Sequence, residues 1–184
     1  MRHILIIAIM VVPAVAGGLA AAQKPIQESQ LFVDSAPPPA GPVAMADAAS
    51  AVVIAKYSGQ SRTVRGDFGP PETEYTFMIA EILKLDAHLP LVGGELPVRL
   101  IGGDSELATH IERQRVRGVR PLIEGDSYLL YLNWNIPQDR FVPAWGPRGI
   151  FDVSDGVVTS LDSRAPEHDG TRTQDFVRHL RNLR

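Results

Sequence analysis

Two Gly-Asp-Ser triplets are the first places where this sequence could carry out chemistry. They are Gly103-Asp104-Ser105 and Gly125-Asp126-Ser127. A serine hydrolase needs a serine beside a histidine base that a carboxylate orients. Hydrolases of the Gly-Asp-Ser-Leu type carry a late Asp-x-x-His pair, whereas here Asp162 and His168 have a different spacing. Gly and Asp also tolerate tight turns. We therefore predict two turns and keep a serine hydrolase as the alternative.

The histidines do not form a metal-binding pattern. His110 and Glu112 share one face of a strand, but a zinc site needs three or four converging ligands. The chain has no cysteine, which excludes disulfides, thiolate metal sites and a cysteine nucleophile. We therefore predict no metal and no cofactor, and the leading hypothesis is a protein without enzymatic activity.

The strongest local charge asymmetry is a run of arginines at alternating positions. Arg113, Arg115 and Arg117 lie on one face if this segment is a strand, and Arg120 follows them. Arginine pairs with carboxylate and phosphate groups, so the run could bind an anionic ligand or a partner. A solvated outer strand face is the alternative, since nearby glutamates offset part of the charge.

A second candidate surface combines an aromatic residue with an arginine. Trp145 is flanked by Pro143, two residues before it, and by Gly146, so we expect it on an exposed loop close to Arg148, whereas we expect Trp134 in the core. Aromatic residues and arginine are enriched at the centres of protein interfaces. The sequence-predicted binding surface is therefore Arg113, Arg115, Arg117, Trp145 and Arg148.

Short apolar segments between turn residues indicate the elements that must position these side chains. We predict about seven short strands and an all-β fold, a small antiparallel barrel with a C-terminal helix. Residues 109–119 fit a strand or a helix, and we favour the strand. Asp155-Gly156 is a strong hairpin signal, and broken alternation near Glu81 indicates a bulge or a bend. For the helix, Thr171 and Gln174 have capping-box spacing. Its apolar stripe would contain Phe176, Val177, Leu180 and Leu183.

The N-terminus has the order of features found in secretory signal peptides. A basic start is followed by an apolar run and by small residues, which predicts a signal peptide over 1–22 with cleavage between Ala22 and Gln23. A retained anchor is the alternative. The prolines of 23–50 predict a disordered tether, 51–162 the β-barrel domain, and 163–184 a linker with the amphipathic helix.

The stretch from Ala51 to Leu161 resembles a group of uncharacterised bacterial exported domains, similar in fold to the netrin and tissue-inhibitor-of-metalloproteinases barrels. The matching segments include the strand at Val52–Ala55, the long strand Tyr75–Leu85 and the segment Pro121–Leu132. The resemblance implies an OB-fold with a five-stranded barrel core. It does not imply protease inhibition, because those inhibitors act through an N-terminal cysteine and this chain has none.

Composition and the export signal together set the expected function. A formal net charge of −3 and a pI near 5.9 argue against a dedicated nucleic-acid-binding protein. We expect a bacterial periplasmic or secreted module, with no membrane span after signal cleavage, that binds an envelope protein or another ligand. The alternatives are the serine hydrolase and a carrier of a small ligand. The sequence leaves the oligomeric state open.

Overall fold

A computed structural model describes residues 24–33, 35–64, 69–89 and 94–181, together with the backbone of residues 6 and 7. The chain divides into two compact units. The first unit contains residues 1–34, 63–73 and 101–117, and the second contains 35–62, 74–100 and 118–184. The cleavage site predicted between Ala22 and Gln23 lies outside the described residues.

A closed ring of five strands forms the centre of the second unit. The strands are β3 (Ala51–Val64), β4 (Glu72–Leu85), β5 (Glu95–Ile101), β8 (Ser127–Asn135) and β9 (Arg140–Pro147). The order β8-β3-β4-β5-β9 returns to β8 because β8 also pairs with β9. β8 runs antiparallel to both β3 and β9, whereas β5 meets β9 in parallel at Val98 and Phe141. The ends of β3, β4 and β5 extend into the first unit.

Alternating side chains of the ring strands build two cores. On β8, Leu130 and Leu132 pack in a cluster with residues of the other ring strands, whereas Leu129 and Tyr131 pack in a second cluster. The second cluster includes residues of helix α1 (Pro42–Ala48) and helix α2 (Thr173–Arg181). The alternation of apolar side chains along a strand therefore builds one core inside the ring and one under the two helices.

The alternation of buried side chains on β4 changes phase near Glu81, where the sequence predicted a bulge or a bend. Phe77 and Ile79 pack on the core inside the ring, and so does Ile82, whereas Leu83 packs on the core under the helices. One extra residue in a strand shifts every later side chain to the opposite face. The change of phase therefore agrees with the bulge or bend predicted near Glu81.

The hairpin predicted at Asp155-Gly156 is confirmed. β10 (Ile150–Asp152) pairs antiparallel with β11 (Thr159–Ser160), and β10 also pairs with β8. Gly156 has a φ of 75°, a left-handed conformation that glycine adopts without a steric penalty. The two strands are shorter than the apolar segments that flank the turn.

A four-stranded sheet dominates the first unit. It contains β1 (Ile6–Ile7), β2 (Ile26–Leu31), β6 (Gly103–Glu106) and β7 (Ile111–Val116), in the order β1-β2-β7-β6. β7 pairs in parallel with β2 and antiparallel with β6. The preference for a strand over a helix within 109–119 is therefore confirmed.

The predicted disordered tether is corrected by two regular elements within 23–50. β2 forms because its backbone pairs with that of β7, which is far away in the sequence. A pairing between such distant segments cannot be predicted from the local pattern of residues. Helix α1 begins at Pro42, a position where proline fits because the first helical N–H needs no partner within the helix. Met45 and Ala46 then anchor this helix in the core.

The C-terminal helix is confirmed, but its start differs from the prediction. Helix α2 begins at Thr173 and buries Phe176, Val177 and Leu180, whereas Leu183 lies outside the described residues. The carbonyl of Thr171 accepts a hydrogen bond from Val158 N–H, so Thr171 belongs to the preceding loop. The predicted capping box is therefore wrong. Within the described ranges, no helix has the length and apolarity needed to cross a membrane.

Candidate functional site

The sequence-predicted binding surface is divided between the two units. Arg113, Arg115 and Arg117 belong to the first unit, whereas Trp145 and Arg148 belong to the second. Arg120 also belongs to the second unit, where its Nη2 donates to the carbonyl of Ser160 at 2.5 Å. We therefore describe two separate groups of residues.

Cross-strand pairing places the first group on one face of the four-stranded sheet, here called the arginine face. Arg113 lies opposite Glu28 on one side and Asp104 on the other, and Arg115 lies opposite Gln30. Residues directly opposite each other in a sheet share a face. The arginine face comprises Ile26, Glu28 and Gln30 of β2, Ile111, Arg113 and Arg115 of β7, and Asp104 and Glu106 of β6.

Arg113 is neutralised by carboxylates from both neighbouring strands. Its Nε and Nη2 donate to Asp104 at 2.9 and 2.7 Å, and its Nη1 lies 3.6 Å from Glu28 Oε1. The hydrogen bond from Arg113 lowers the pKa of Asp104, and the Asp104 carboxylate in turn raises the pKa of Arg113. Arg113 therefore links β2, β6 and β7 through its carboxylate partners, and its charge is not available to a ligand.

Arg115 and Arg117 are in a different position at one end of the arginine face. Both are exposed, and no ion pair joins either of them to a carboxylate in the parts of the chain that the structure describes. The Arg117 guanidinium lies 5.2 Å from the ring centroid of Phe32, which is 36% exposed. At the other end, Lys24 Nζ donates to Glu106 at 2.7 Å. The exposed end thus combines two available guanidinium groups with an aromatic ring.

Trp145 does not lie on an exposed loop, so that expectation is wrong. It belongs to β9, is partly buried against the core under the helices, and its ring lies 6.1 Å from that of Tyr131. Pro143 is itself buried within β9, so this proline does not mark a loop. Trp134 packs edge-on against Phe141 at 4.8 Å, in agreement with the predicted core role.

Arg148 forms part of an ion cluster that sequence analysis missed. Its Nε lies 3.3 Å from Asp162 Oδ2, to which Arg164 Nη2 also donates at 2.8 Å. Burial favours the neutral form of Asp162, but the hydrogen bonds from Arg164 and Arg148 outweigh it and lower the pKa. Arg148 Nη1 also donates to the carbonyl of Ser35 at 3.1 Å. Asp162 is fully buried, and the only sequence clue was its position two residues before an arginine.

The two triplet serines occupy different settings. Ser127 begins β8 directly after a turn at Gly125, whose φ is 88°, and its N–H donates to Ser154 Oγ at 2.8 Å. Ser105 is buried within strand β6, so the turn predicted for the first triplet is wrong. Within the described ranges, neither serine hydroxyl contacts a histidine, and no group of three possible metal ligands converges.

Comparison with known proteins found no relative of this chain. No family model, no curated protein and no solved structure matches this chain.

Proposed function

We propose that this chain is an exported, non-enzymatic module that binds an envelope protein or another ligand through the exposed end of its arginine face. The contact residues are Arg115, Arg117 and Phe32. In this proposal the signal peptide 1–22 is removed between Ala22 and Gln23, and the protein acts in the bacterial periplasm or after secretion.

The contrast between Arg113 and its two neighbours supports this proposal most directly. Carboxylates already satisfy Arg113, whereas Arg115 and Arg117 are exposed and the Arg117 guanidinium lies over the ring of Phe32. Exposed arginine and aromatic side chains are the residue types that dominate binding energy at interfaces. A sheet face that only needed to be soluble would not require an aromatic ring beside its free guanidinium groups.

We also propose that the second unit is an OB-fold similar to the netrin and tissue-inhibitor barrels. Its closed ring of five strands supports this interpretation. Phe77, Tyr128 and Leu130 fill the inside of the ring and are fully buried, which argues against a ligand carrier. A surface site is therefore favoured over an internal one.

In-cell crosslinking of the exported, tagged protein tests the binding proposal. We expect repeated capture of one envelope component, and we expect Arg115→Ala combined with Arg117→Ala to reduce that capture at least about tenfold, because exposed guanidinium groups are typical hot spots. Arg178→Ala is the matched control, since Arg178 is an exposed arginine on helix α2. Equal losses in both variants, or no loss in either, would contradict the proposal.

A serine-reactive phosphonate probe tests the hydrolase alternative. We expect no labelling, because neither triplet serine has a histidine base among the described residues. Labelling that disappears in Ser105→Ala or Ser127→Ala would overturn the non-enzymatic assignment.

A further inference from the structure

Strand β2 presents an outer edge that faces away from β7. The N–H of Ile111 donates to the carbonyl of Pro25, and the N–H of Arg117 donates to that of Leu31. In a strand, backbone groups of alternate residues point to opposite edges. The odd-numbered residues therefore bond to β7, and the N–H and C=O groups of Ile26, Glu28 and Gln30 point outward.

Little of the described chain covers this edge. β1 pairs with it antiparallel, but only at Gln30 and Leu31. The residues of β1 lie within the segment that the proposed signal cleavage would remove. From Ile26 to Leu31 the strand has no proline and no lysine, the residues that commonly protect an edge from pairing with another strand. Ile26, at the start of the edge, is 50% exposed.

A second copy of the same strand can pair with this edge in an antiparallel register that favours both side chains of each pair. Because the outward-pointing residues are even-numbered, they must pair with each other. Pairing Glu28 with its own symmetry mate would place two carboxylates directly opposite, which is unfavourable. Moving the partner strand by two residues keeps the even-numbered residues paired, and it places Ile26 opposite Phe32 and Glu28 opposite Gln30. That register places an exposed apolar residue opposite another and a carboxylate opposite an amide.

We propose that the exported protein forms a two-fold symmetric dimer in which β2 pairs antiparallel with β2 of a second copy, with Ile26 opposite Phe32 and Glu28 opposite Gln30. A two-fold axis repeats each pair, so the interface is self-complementary. This dimer uses the backbone edge of the sheet and leaves Arg115 free on the arginine face. The dimer rests on the removal of residues 1–22 in the proposed function, since β1 pairs with the same edge at Gln30 and Leu31. It also uses Phe32 of the proposed binding surface, so sedimentation tests the dimer while loss of partner capture in Arg115→Ala combined with Arg117→Ala tests the binding proposal.

Sedimentation of the protein, purified after export of the full chain, tests the dimer. We expect reversible dimerisation between about 5 and about 500 µM, because a single strand pair buries little surface. Gln30→Lys would tighten the dimer roughly tenfold by placing an ammonium group opposite Glu28 twice, and Gln30→Glu would weaken it by a similar factor. The matched controls are Gln174→Lys and Gln174→Glu, on an exposed residue of helix α2.

Glu28→Pro tests the role of the backbone edge. Proline is tolerated at an edge where its missing N–H faces outward, so the fold should persist, as checked by circular dichroism, while the dimer is lost. A monomer throughout the concentration range would overturn the proposal. A dimer that tightens equally with Gln30→Lys and Gln174→Lys, or that survives Glu28→Pro, would also overturn it.

Discussion

At the scale of single residues, one cluster of charged side chains stabilises the protein's own structure. Asp162 is fully buried and accepts hydrogen bonds from Arg148 and Arg164. The sequence indicated a binding surface at Arg148 because an exposed arginine and a structural arginine cannot be told apart without their partners. The buried carboxylate that decides between the two roles carries no signature in a single sequence.

Removing the charge of Asp162 should destabilise the fold. We expect Asp162→Asn to lower the free energy of unfolding by about 2 kcal/mol, because two arginines lose their shared carboxylate while keeping partial access to water. Urea denaturation measures this change. Asp155→Asn, in an exposed turn, is the control and should change little. Equal effects of the two substitutions would contradict a structural role for the ion cluster.

The same carboxylate should make stability depend on pH in acid. Folding lowers the pKa of Asp162 from its ordinary value of 3.8, so its stabilising effect is complete above that pH. The effect is lost as the pH falls from there through the lower pKa of the folded state. The stability difference between wild type and Asp162→Asn should therefore be constant from about pH 7 to about pH 5 and narrow below about pH 4. If the difference in unfolding free energy between wild type and Asp162→Asn grew as the pH fell, it would contradict a lowered pKa for Asp162 in the folded state.

At the scale of elements, those that depend on a local sequence pattern could be predicted, whereas strands that depend on pairing with a distant segment could not. The Asp155-Gly156 hairpin and helix α2 follow from patterns within a few residues, and both are present. Strand β2 depends on β7, which lies far along the chain, so the prolines around it predicted a tether instead. Ser105 was expected in a turn for the same reason, since only its pairing with Glu112 places it in a strand.

Helix α2 should contribute strongly to stability because it covers the second core. Phe176 is buried and its ring lies 5.9 Å from that of Phe151 and 5.2 Å from that of His168. We expect Phe176→Ala to cost about 3 kcal/mol of unfolding free energy through lost burial and a cavity. Gln174→Ala, on the exposed side, should cost less than about 0.5 kcal/mol. Thermal unfolding measures both, and similar costs would contradict the packing described for this helix.

At the scale of the whole molecule, the division into two units separates residues that the sequence suggested as one surface. The arginine run belongs to the first unit, while Trp145 and Arg148 serve the packing of the second. This division could not be predicted from positions along the sequence, because residues 63–73 and 101–117 belong to the same unit as the N-terminal segment 1–34. The exposed end of the arginine face is what remains of the predicted surface.

Site-specific photocrosslinking in living cells tests the proposed binding surface most directly. A photoreactive phenylalanine analogue would replace Phe32 or, as the control, Val157 of the second unit, which has a similar exposure of 39%. We predict an adduct with one other envelope component from position 32 and none from position 157. An adduct between two copies of this chain has a distinct mass and reports on strand pairing instead. Adducts with other components from both positions alike, or from position 157 alone, would contradict the proposed surface.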